Sequence, residues 1–296
     1  MINPQILKKG DKIAITCPAK SLKAPMVDAI KLLEDWGLEV VLGESVHTVF
    51  HQFAGTDELR TADMQKFIND KEIKAIIAAR GGYGCIRIVD RINWTPLIKN
   101  PRWLIGFSDI TVFHLQLQSM GLQSLHAQMP VNISESSIEG LESLRKVLFG
   151  ETLEYEIAAH GKNKIGEGQA ELIGGNLTLL TACINAKNDI SYDDKILFIE
   201  EVGEYEYAID RMMRTLDRAG KLKNLTGLIV GGFTNIKVND IPFGYSAYDI
   251  IETIVSKYNY PVCYGFPAGH LPDNRALIFG RETKLSVTKE IVKIRF

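Results

Sequence analysis

The sequence predicts an α/β protein with two domains, a parallel-sheet domain followed by a smaller mixed α/β domain. Three observations predict it. Apolar runs alternate with helical spacings up to about position 149, which is typical of a sheet covered on both faces. A polar, glycine-containing stretch without periodicity follows at 151–168. In the remaining residues, strand patterns and helix patterns alternate again, and the chain ends in short strand-like runs. We therefore expect one domain over 1–150, a linker over 151–168 and a second domain over 169–296.

In the first domain, strands are predicted where apolar runs are short and continuous, and helices where apolar residues recur every three or four positions. Gly37 marks the end of one such helix. Binding sites in parallel sheets lie at the carboxyl ends of the strands. The predicted elements are strand 12–17, helix 26–36, strand 38–42, helix 58–68, strand 73–79, helix 86–92, strand 103–107 and helix 110–120.

The second domain is predicted in the same way from shorter segments. Its three last strands follow one another without a helix, which favours an antiparallel ending and hence a mixed sheet. The predicted elements are helix 177–184, strand 195–200, helix 207–219, strand 225–233, helix 248–258, strand 262–266, and the final strands 276–279, 283–287 and 291–296.

Composition excludes several classes of protein. The chain has 34 Lys and Arg against 36 Asp and Glu, a formal charge of −2 and no basic block, so nucleic acid is not an expected partner. No apolar run is long enough to span a bilayer, and no secretory signal precedes Lys8 and Lys9, so we expect a cytoplasmic protein without a membrane partner. Four widely spaced cysteines predict buried thiols, not disulfides or a zinc site: Cys17, Cys85, Cys183 and Cys263.

Ser108 lies where an apolar run stops and a helical pattern begins, in the segment 103–111. At a strand-to-helix turn, a serine can present its hydroxyl above the sheet edge, where the first helical amides are directed at an anion formed there. The same local pattern is typical of a serine that caps a helix. This segment alone leaves both interpretations open.

Two further groups follow strands of the second domain. Glu200 and Glu201 come directly after the apolar residues 197–199, where a buried carboxylate needs a partner, although two solvated acids have the same pattern. His270 closes a turn rich in glycine and proline, where a surface histidine is the alternative. A nucleophilic serine needs a base and an acid that orients the base. Ser108, one of the two glutamates and His270 supply these roles, so we predict a site between the domains.

The segment 80–84 (RGGYG) ends another apolar strand. Its glycines let backbone amides approach a ligand closely, although a tight turn without a ligand is the alternative. We predict that Gly81, Gly82 and Gly84, together with the backbone near Asp109, form the oxyanion and substrate-binding region.

Arg80 begins the same segment and is predicted to bind substrate. A guanidinium suits a carboxylate because its planar fork pairs with both oxygens. A structural ion pair in the loop is the alternative.

Seven segments, taken in order, resemble the LD-carboxypeptidase family of serine peptidases, which includes the muramoyltetrapeptide carboxypeptidases and the microcin C immunity peptidases. The segments extend across nearly the whole chain, and the ordered set is far more specific than any one of them. They are 54–60 (AGTDELR), 79–84 (ARGGYG), 105–111 (IGFSDIT), 174–177 (GGNL), 197–201 (LFIEE), 209–212 (IDRM) and 266–270 (FPAGH).

The resemblance implies a catalytic triad of Ser108, Glu200 and His270. It also implies a flavodoxin-like N-terminal domain that carries the nucleophile, a smaller C-terminal domain that carries the glutamate and the histidine, and a homodimer without a metal or cofactor. The implied activity is release of the terminal D-alanine from murein tetrapeptide, by hydrolysis of an L,D-peptide bond, in peptidoglycan recycling. The expected partner is therefore a small peptide. A carboxypeptidase must recognise the free terminal carboxylate of such a peptide, and Arg80 is the candidate for that contact.

Two other functions stay open at the level of sequence. A microcin C immunity-type peptidase, which cleaves a peptide-nucleotide antibiotic, shares the same motifs. A non-catalytic peptide-binding protein would use the scaffold but would not require all three catalytic groups. The chain also departs from the family at 126–129 (HAQM), where relatives often have His-Gly-Pro-Met, so the wall beside the substrate differs.

Overall fold

The computed structural model describes every residue from Met1 to Phe296 and contains two compact units. The first unit consists of Met1–Thr152 and Pro272–Phe279. The second consists of Leu153–Leu271 and Gly280–Phe296. None of the helices combines the length and the apolar character that crossing a bilayer requires. The predicted α/β class is confirmed by this structure.

We number the strands and α-helices in chain order. The strands are β1 (Lys12–Thr16), β2 (Glu39–Leu42), β3 (Ile73–Ala78), β4 (Trp103–Gly106), β5 (Ser124–His126), β6 (Glu154–Ala158), β7 (Gly166–Asn176), β8 (Lys195–Val202), β9 (Gly227–Thr234), β10 (Val262–Tyr264), β11 (Leu277–Phe279), β12 (Glu282–Val287) and β13 (Ile291–Arg295). The helices are α1 (Val27–Asp35), α2 (Asp57–Asn69), α3 (Cys85–Ile88), α4 (Pro96–Lys99), α5 (Thr111–Ser119), α6 (Ile138–Leu148), α7 (Leu177–Ala182), α8 (Glu206–Arg218) and α9 (Ala247–Val255).

The sheet of the first unit has the strand order β11-β5-β4-β3-β1-β2. Strands β1 to β5 are parallel, and their side chains are buried on both faces along β3 and β4. This confirms the parallel sheet predicted from the continuous apolar runs. The chain passes from β1 to β2 on one side and to β3 on the other, so the strand order reverses between β1 and β3. In sheets of this kind, ligands bind outside the carboxyl ends of the strands at that reversal.

The sheet of the second unit has the strand order β10-β9-β8-β7-β12-β13-β6. Strands β7 to β10 are parallel, whereas β12, β13 and β6 pair antiparallel at the other end, so the sheet is mixed as predicted. The core of β8 is fully buried from Ile196 to Ile199.

The structure differs from the expected domain limits in two places. The segment 151–168, expected as a linker, contains β6 and the start of β7. There, exposed Glu154 and Glu156 flank buried Tyr155, a two-residue alternation that the polar composition hides. The segment 272–279, expected in the second domain, belongs to the first unit, where β11 pairs with β5.

Candidate active site

Ser108 lies at a strained turn between β4 and α5. Its φ is +64°, a left-handed conformation that costs a residue with a side chain more than it costs glycine. The preceding Gly106 has a φ of +154°, and a Cβ there would lie 2.8 Å from Cγ1 of Ile110. The N-terminus of α5 receives no side-chain cap. Ser108 is therefore not the cap of α5, and the turn has the strand-turn-helix form in which nucleophilic serines are held.

The glycine segment after β3 lies against this turn. A Cβ built on Gly81 would lie 3.0 Å from Cβ and 3.1 Å from Oγ of Ser108, and 3.4 Å from the amide nitrogen of Asp109. Gly82 and Gly84 both have positive φ values, of +116° and +152°. Only a residue without a side chain lets this backbone come so close to the serine hydroxyl. The arrangement brings the predicted glycines and Ser108 together in one unit.

The side chain of Asp109 has a structural contact that the sequence analysis did not assign. Its Oδ2 accepts a hydrogen bond of 2.8 Å from the backbone amide of Cys85, the first residue after the glycine segment. The carboxyl group is buried, and burial raises its pKa although the hydrogen bonds from Cys85 oppose that change. Asp109 thus ties the glycine segment to the turn that holds Ser108.

Arg60 holds the same segment from the other side and was not singled out from the sequence. The guanidinium is fully buried, pairs with Asp57, and donates from Nη1 to the carbonyl oxygens of Pro18 and Gly84, the latter at 3.1 Å. A charged residue in α2 does not by itself indicate that it holds a loop of the site. The sequence did offer one indication, because Arg60 ends the segment 54–60, which is one of the seven that resemble the family.

Glu200 and His270 form a hydrogen-bonded pair in the second unit. Oε2 of Glu200 lies 2.7 Å from Nδ1 of His270, and the glutamate is fully buried at the end of β8. A Cβ on Gly269 would lie 2.8 Å from Cβ of Glu200, so the turn before His270 requires glycine, whose φ here is +112°. With Nδ1 donating to the carboxylate, Nε2 is left as the basic nitrogen.

The pKa of His270 is set by two opposing effects. Burial by itself lowers the pKa, but the charge of Glu200, the hydrogen bond to it and the charge of Glu201 together raise it above the usual value. The imidazolium form is therefore stabilised, as a general base requires when it takes up a proton.

Glu201 faces other partners. Its carboxylate accepts hydrogen bonds from Nδ2 of Asn176 at 2.9 Å and from both the amide and the hydroxyl of Thr178 at 2.8 Å. Burial raises the pKa of Glu201. Adjacent residues of a strand point to opposite faces, so only one of the two glutamates contacts the histidine. In the structure that residue is Glu200, and Glu201 joins β8 to the start of α7.

Arg80 makes no ion pair. Its Nη1 donates to the carbonyl oxygen of Ser21 at 3.0 Å, and its Nε is buried without a hydrogen-bond partner. The structural ion pair considered for this residue is thus not formed. Its guanidinium is directed toward the segment after β1, where it lines a cavity with Lys23 and Asp28.

The chemistry-bearing residues thus form two groups. Ser108, the glycine segment, Arg80 and Asp109 lie in the first unit, and the Glu200–His270 pair lies in the second. No group of three or more His, Cys, Asp or Glu side chains is arranged to hold a metal ion.

Two family models match the chain. The model described as LD-carboxypeptidase N-terminal domain matches residues 13–127, and the one described as LD-carboxypeptidase C-terminal domain matches residues 169–285. The first match contains Ser108 and the glycine segment, and the second contains Glu200 and His270.

Proteins named as carboxypeptidases are among the similar proteins. A probable murein peptide carboxypeptidase of Bacillus subtilis is 31% identical, over 98% of this chain and 93% of its own length. The murein tetrapeptide carboxypeptidase of Pseudomonas aeruginosa is 28% identical, over 93% of this chain and 92% of its own length.

Solved structures show the same fold. The muramoyltetrapeptide carboxypeptidase of Oxalobacter formigenes is 27% identical and superposes with a TM-score of 0.86, over 96% of this chain and 97% of that chain. The microcin C7 self-immunity protein MccF, solved in complex with glutamyl sulfamoyl guanosine, superposes with a TM-score of 0.88 over 99% of this chain and 98% of its own. Its identity is 17%, so that likeness concerns the fold alone.

Proposed function

The chain belongs to the LD-carboxypeptidase family and is a serine-type carboxypeptidase, and from this we propose that it hydrolyses an L,D-peptide bond and releases the terminal D-alanine of murein tetrapeptide. The similarity to the murein tetrapeptide carboxypeptidase of Pseudomonas aeruginosa, which extends over 93% of this chain, supports that substrate. The hydrogen-bonded pair of Glu200 and His270 is the single observation that carries the mechanism.

In the proposed reaction, Ser108, Glu200 and His270 act as a triad. Nε2 of His270 takes the proton from the hydroxyl of Ser108 as its Oγ attacks the scissile carbonyl carbon. The imidazolium then gives that proton to the leaving amino group of D-alanine, the C–N bond breaks, and an acyl-enzyme remains. Water, deprotonated by the same histidine, then attacks the acyl carbon and the ester bond to Oγ breaks. The imidazolium returns the proton to Oγ of Ser108, and the shortened peptide leaves with a new carboxylate. Throughout, Glu200 holds Nδ1 and stabilises the imidazolium.

The negative oxygen of the tetrahedral intermediate needs donors that are already in place. We propose that backbone amides of the glycine segment and of Asp109 supply them. The close approach of Gly81 to the hydroxyl of Ser108 and to the amide of Asp109 supports this role. The buried contacts of Asp109 with Cys85 and of Arg60 with Gly84 would keep those amides in position without a closing motion.

The direct test is incubation of the purified protein with murein tetrapeptide, followed by mass spectrometry for the loss of one alanine. The wild type is expected to release D-alanine and the Ser108→Ala variant is not. A peptide that ends in L-alanine serves as the control for stereochemistry, and a peptidyl nucleotide as the competing substrate. Cleavage of the peptidyl nucleotide without any release of D-alanine would contradict the proposal and favour the immunity-type activity.

We further propose that the enzyme works in the cytoplasm as a homodimer, in peptidoglycan recycling. The four cysteines are all buried free thiols, as is usual for proteins of a reducing compartment. Light scattering on the purified protein tests the dimer, and cell fractionation tests the location. A monomer at micromolar concentration or a secreted product would contradict these two statements.

A further inference from the structure

His114 is a fully buried histidine of α5 that the proposed chemistry does not use. Its Nε2 lies 2.9 Å from the carbonyl oxygen of Gly106, and its Nδ1 lies 2.8 Å from Oγ of Ser124 in β5. A carbonyl oxygen only accepts hydrogen bonds, so Nε2 carries the proton and donates to Gly106. In that tautomer Nδ1 is an acceptor, and the hydroxyl of Ser124 donates to it. A neutral imidazole therefore satisfies both contacts.

The surroundings of His114 keep its ring neutral. Burial lowers the pKa of His114 to about 4, although the hydrogen bond to Gly106 opposes that change. No carboxylate bonds to this ring, whereas Glu200 bonds to the ring of His270. A ring with both nitrogens engaged and no acidic partner is poorly suited to take up a proton near neutral pH. His114 is thus not a second general base.

Gly106 is the residue at which β4 passes into the turn that holds Ser108. Both residues have positive φ values, and such conformations persist only where the surrounding contacts determine them. The carbonyl of Gly106 also accepts a hydrogen bond from the amide of Ala127, at the longer distance of 3.4 Å. Since Phe107 alone lies between Gly106 and Ser108, the direction of this carbonyl sets the path of the chain into the turn.

The place of His114 in α5 explains how its ring reaches the turn. Side chains of an α-helix tilt toward its N-terminus, and His114 follows Ser108 by less than two turns of helix, so its ring extends back to the end of β4. The same ring packs edge-on against Phe279 of β11, with the ring centroids 5.2 Å apart. Phe279 in turn pairs with Ser124. The ring therefore ties the turn to two strands of the sheet.

Resting on the proposed function, we propose that His114 is a positioning residue for the nucleophile. The N–H at Nε2 holds the carbonyl of Gly106, and this bond fixes the direction in which the turn presents Oγ of Ser108. His114 transfers no proton and, being fully buried, does not contact the peptide. Its loss should lower kcat and leave KM and the shape of the pH profile unchanged, whereas loss of His270 removes the base itself.

Three variants separate the two hydrogen bonds of the ring. His114→Gln can place an amide N–H near the position of Nε2, so kcat should stay within about tenfold of the wild type. His114→Asn reaches only the position of Nδ1, and kcat should fall about a hundredfold, as expected when a reacting group is displaced by about 1 Å. Ser124→Ala is the matched control. It removes only the partner of Nδ1, which should cost stability but change kcat by less than about threefold.

Steady-state rates for murein tetrapeptide, measured across the neutral pH range and well below the melting temperature of each variant, test these expectations. KM should stay within about threefold in all three variants, because the proposed contact acts on the reacting group and not on binding. The acid limb should stay where it is in the wild type. Equal losses of kcat in His114→Gln and His114→Asn would overturn the inference. A raised KM in place of a lowered kcat, or a displaced acid limb, would overturn it as well.

Two measurements that do not depend on turnover keep this inference apart from the proposed function. Nitrogen NMR of the wild type, labelled in its histidine rings, should show His114 protonated at Nε2 and not titrating near neutral pH. A proton on Nδ1 would leave Gly106 without its donor and would refute the inference, whether or not any variant folds.

Crystal structures of the wild type, His114→Gln and His114→Asn are the second measurement. The φ of Ser108 and the direction of the Gly106 carbonyl should change in His114→Asn alone. An unchanged turn in His114→Asn overturns the inference and leaves the carboxypeptidase activity intact. A turn that changes only in His114→Asn supports the inference even if the wild type cleaves no tetrapeptide, a result that contradicts the proposed function alone.

Discussion

Replacing Glu200 with glutamine tests whether this buried carboxylate acts through His270. Glutamine preserves the shape of the side chain but removes the charge that lies 2.7 Å from Nδ1. At an effective dielectric constant of about 20, two unit charges about 4 Å apart attract by about 4 kcal/mol. Glu200→Gln removes this stabilisation of the imidazolium and no longer holds His270 in the correct tautomer. We therefore expect kcat to fall by about 10³ to 10⁴.

The pH dependence gives a second readout of the same change. The wild-type rate should fall as the pH drops through the raised pKa of His270, because the general base must be neutral. In Glu200→Gln burial remains while the opposing charge is lost, so the acid limb of the profile should move to lower pH. The stabilising pair of protonated His270 and Glu200 is present below the ordinary histidine pKa of about 6.5 and is lost as the pH rises through the raised value. The variant should therefore lose more stability at pH 6 than at pH 9.

The matched control is Glu201→Gln, the same change one residue later. The Glu201 carboxylate accepts its hydrogen bonds from Asn176 and Thr178, so this variant should lose roughly 1 to 3 kcal/mol of unfolding free energy. Its acid limb should move to lower pH by less than that of Glu200→Gln, because Glu201 raises the pKa of His270 by its charge alone and makes no hydrogen bond to it. The assay is kcat/KM for tetrapeptide from pH 5 to 9, with melting curves at both ends. Retention of more than about a tenth of the activity in Glu200→Gln, or a shifted limb in Glu201→Gln alone, would refute the reasoning.

Two further predictions concern the nucleophile turn. Ser108→Ala and Ser108→Gly should both lose about 10⁴ to 10⁶ in turnover. The glycine variant should have a free energy of unfolding about 1 kcal/mol higher than the alanine variant, because a φ of +64° costs glycine less. Equal melting temperatures of the two variants would contradict the strained turn. Gly81→Ala places a Cβ 3.1 Å from Oγ of Ser108 and should lower kcat by about a hundredfold while the fold is retained. Gly161→Ala is the control, because a Cβ there meets open space, and it should leave kcat unchanged. Circular dichroism and steady-state rates test both variants.

The sequence predicted what depends on local pattern. Continuous apolar runs such as 73–79 identify strands buried on both faces, and the strand-to-helix change at Ser108 is visible in a few residues. Helix α6 also has a local signal, because Leu144, Val147 and Leu148 recur at helical spacing, but the sequence analysis did not assign it. The order of the family segments pointed to the residues of the proposed triad, although their joint action stays a prediction.

Only the tertiary structure decided which groups meet. Strand β11 joins the first sheet because Leu277 pairs with His126, some 150 positions earlier in the chain, and no local periodicity encodes such a pairing. The partner of His270 is Glu200 and not Glu201 because the orientation of β8 in its sheet determines which face each side chain occupies. Arg80 reaches the segment after β1 for the same reason, since strand order, which depends on contacts remote in sequence, places that segment beside it.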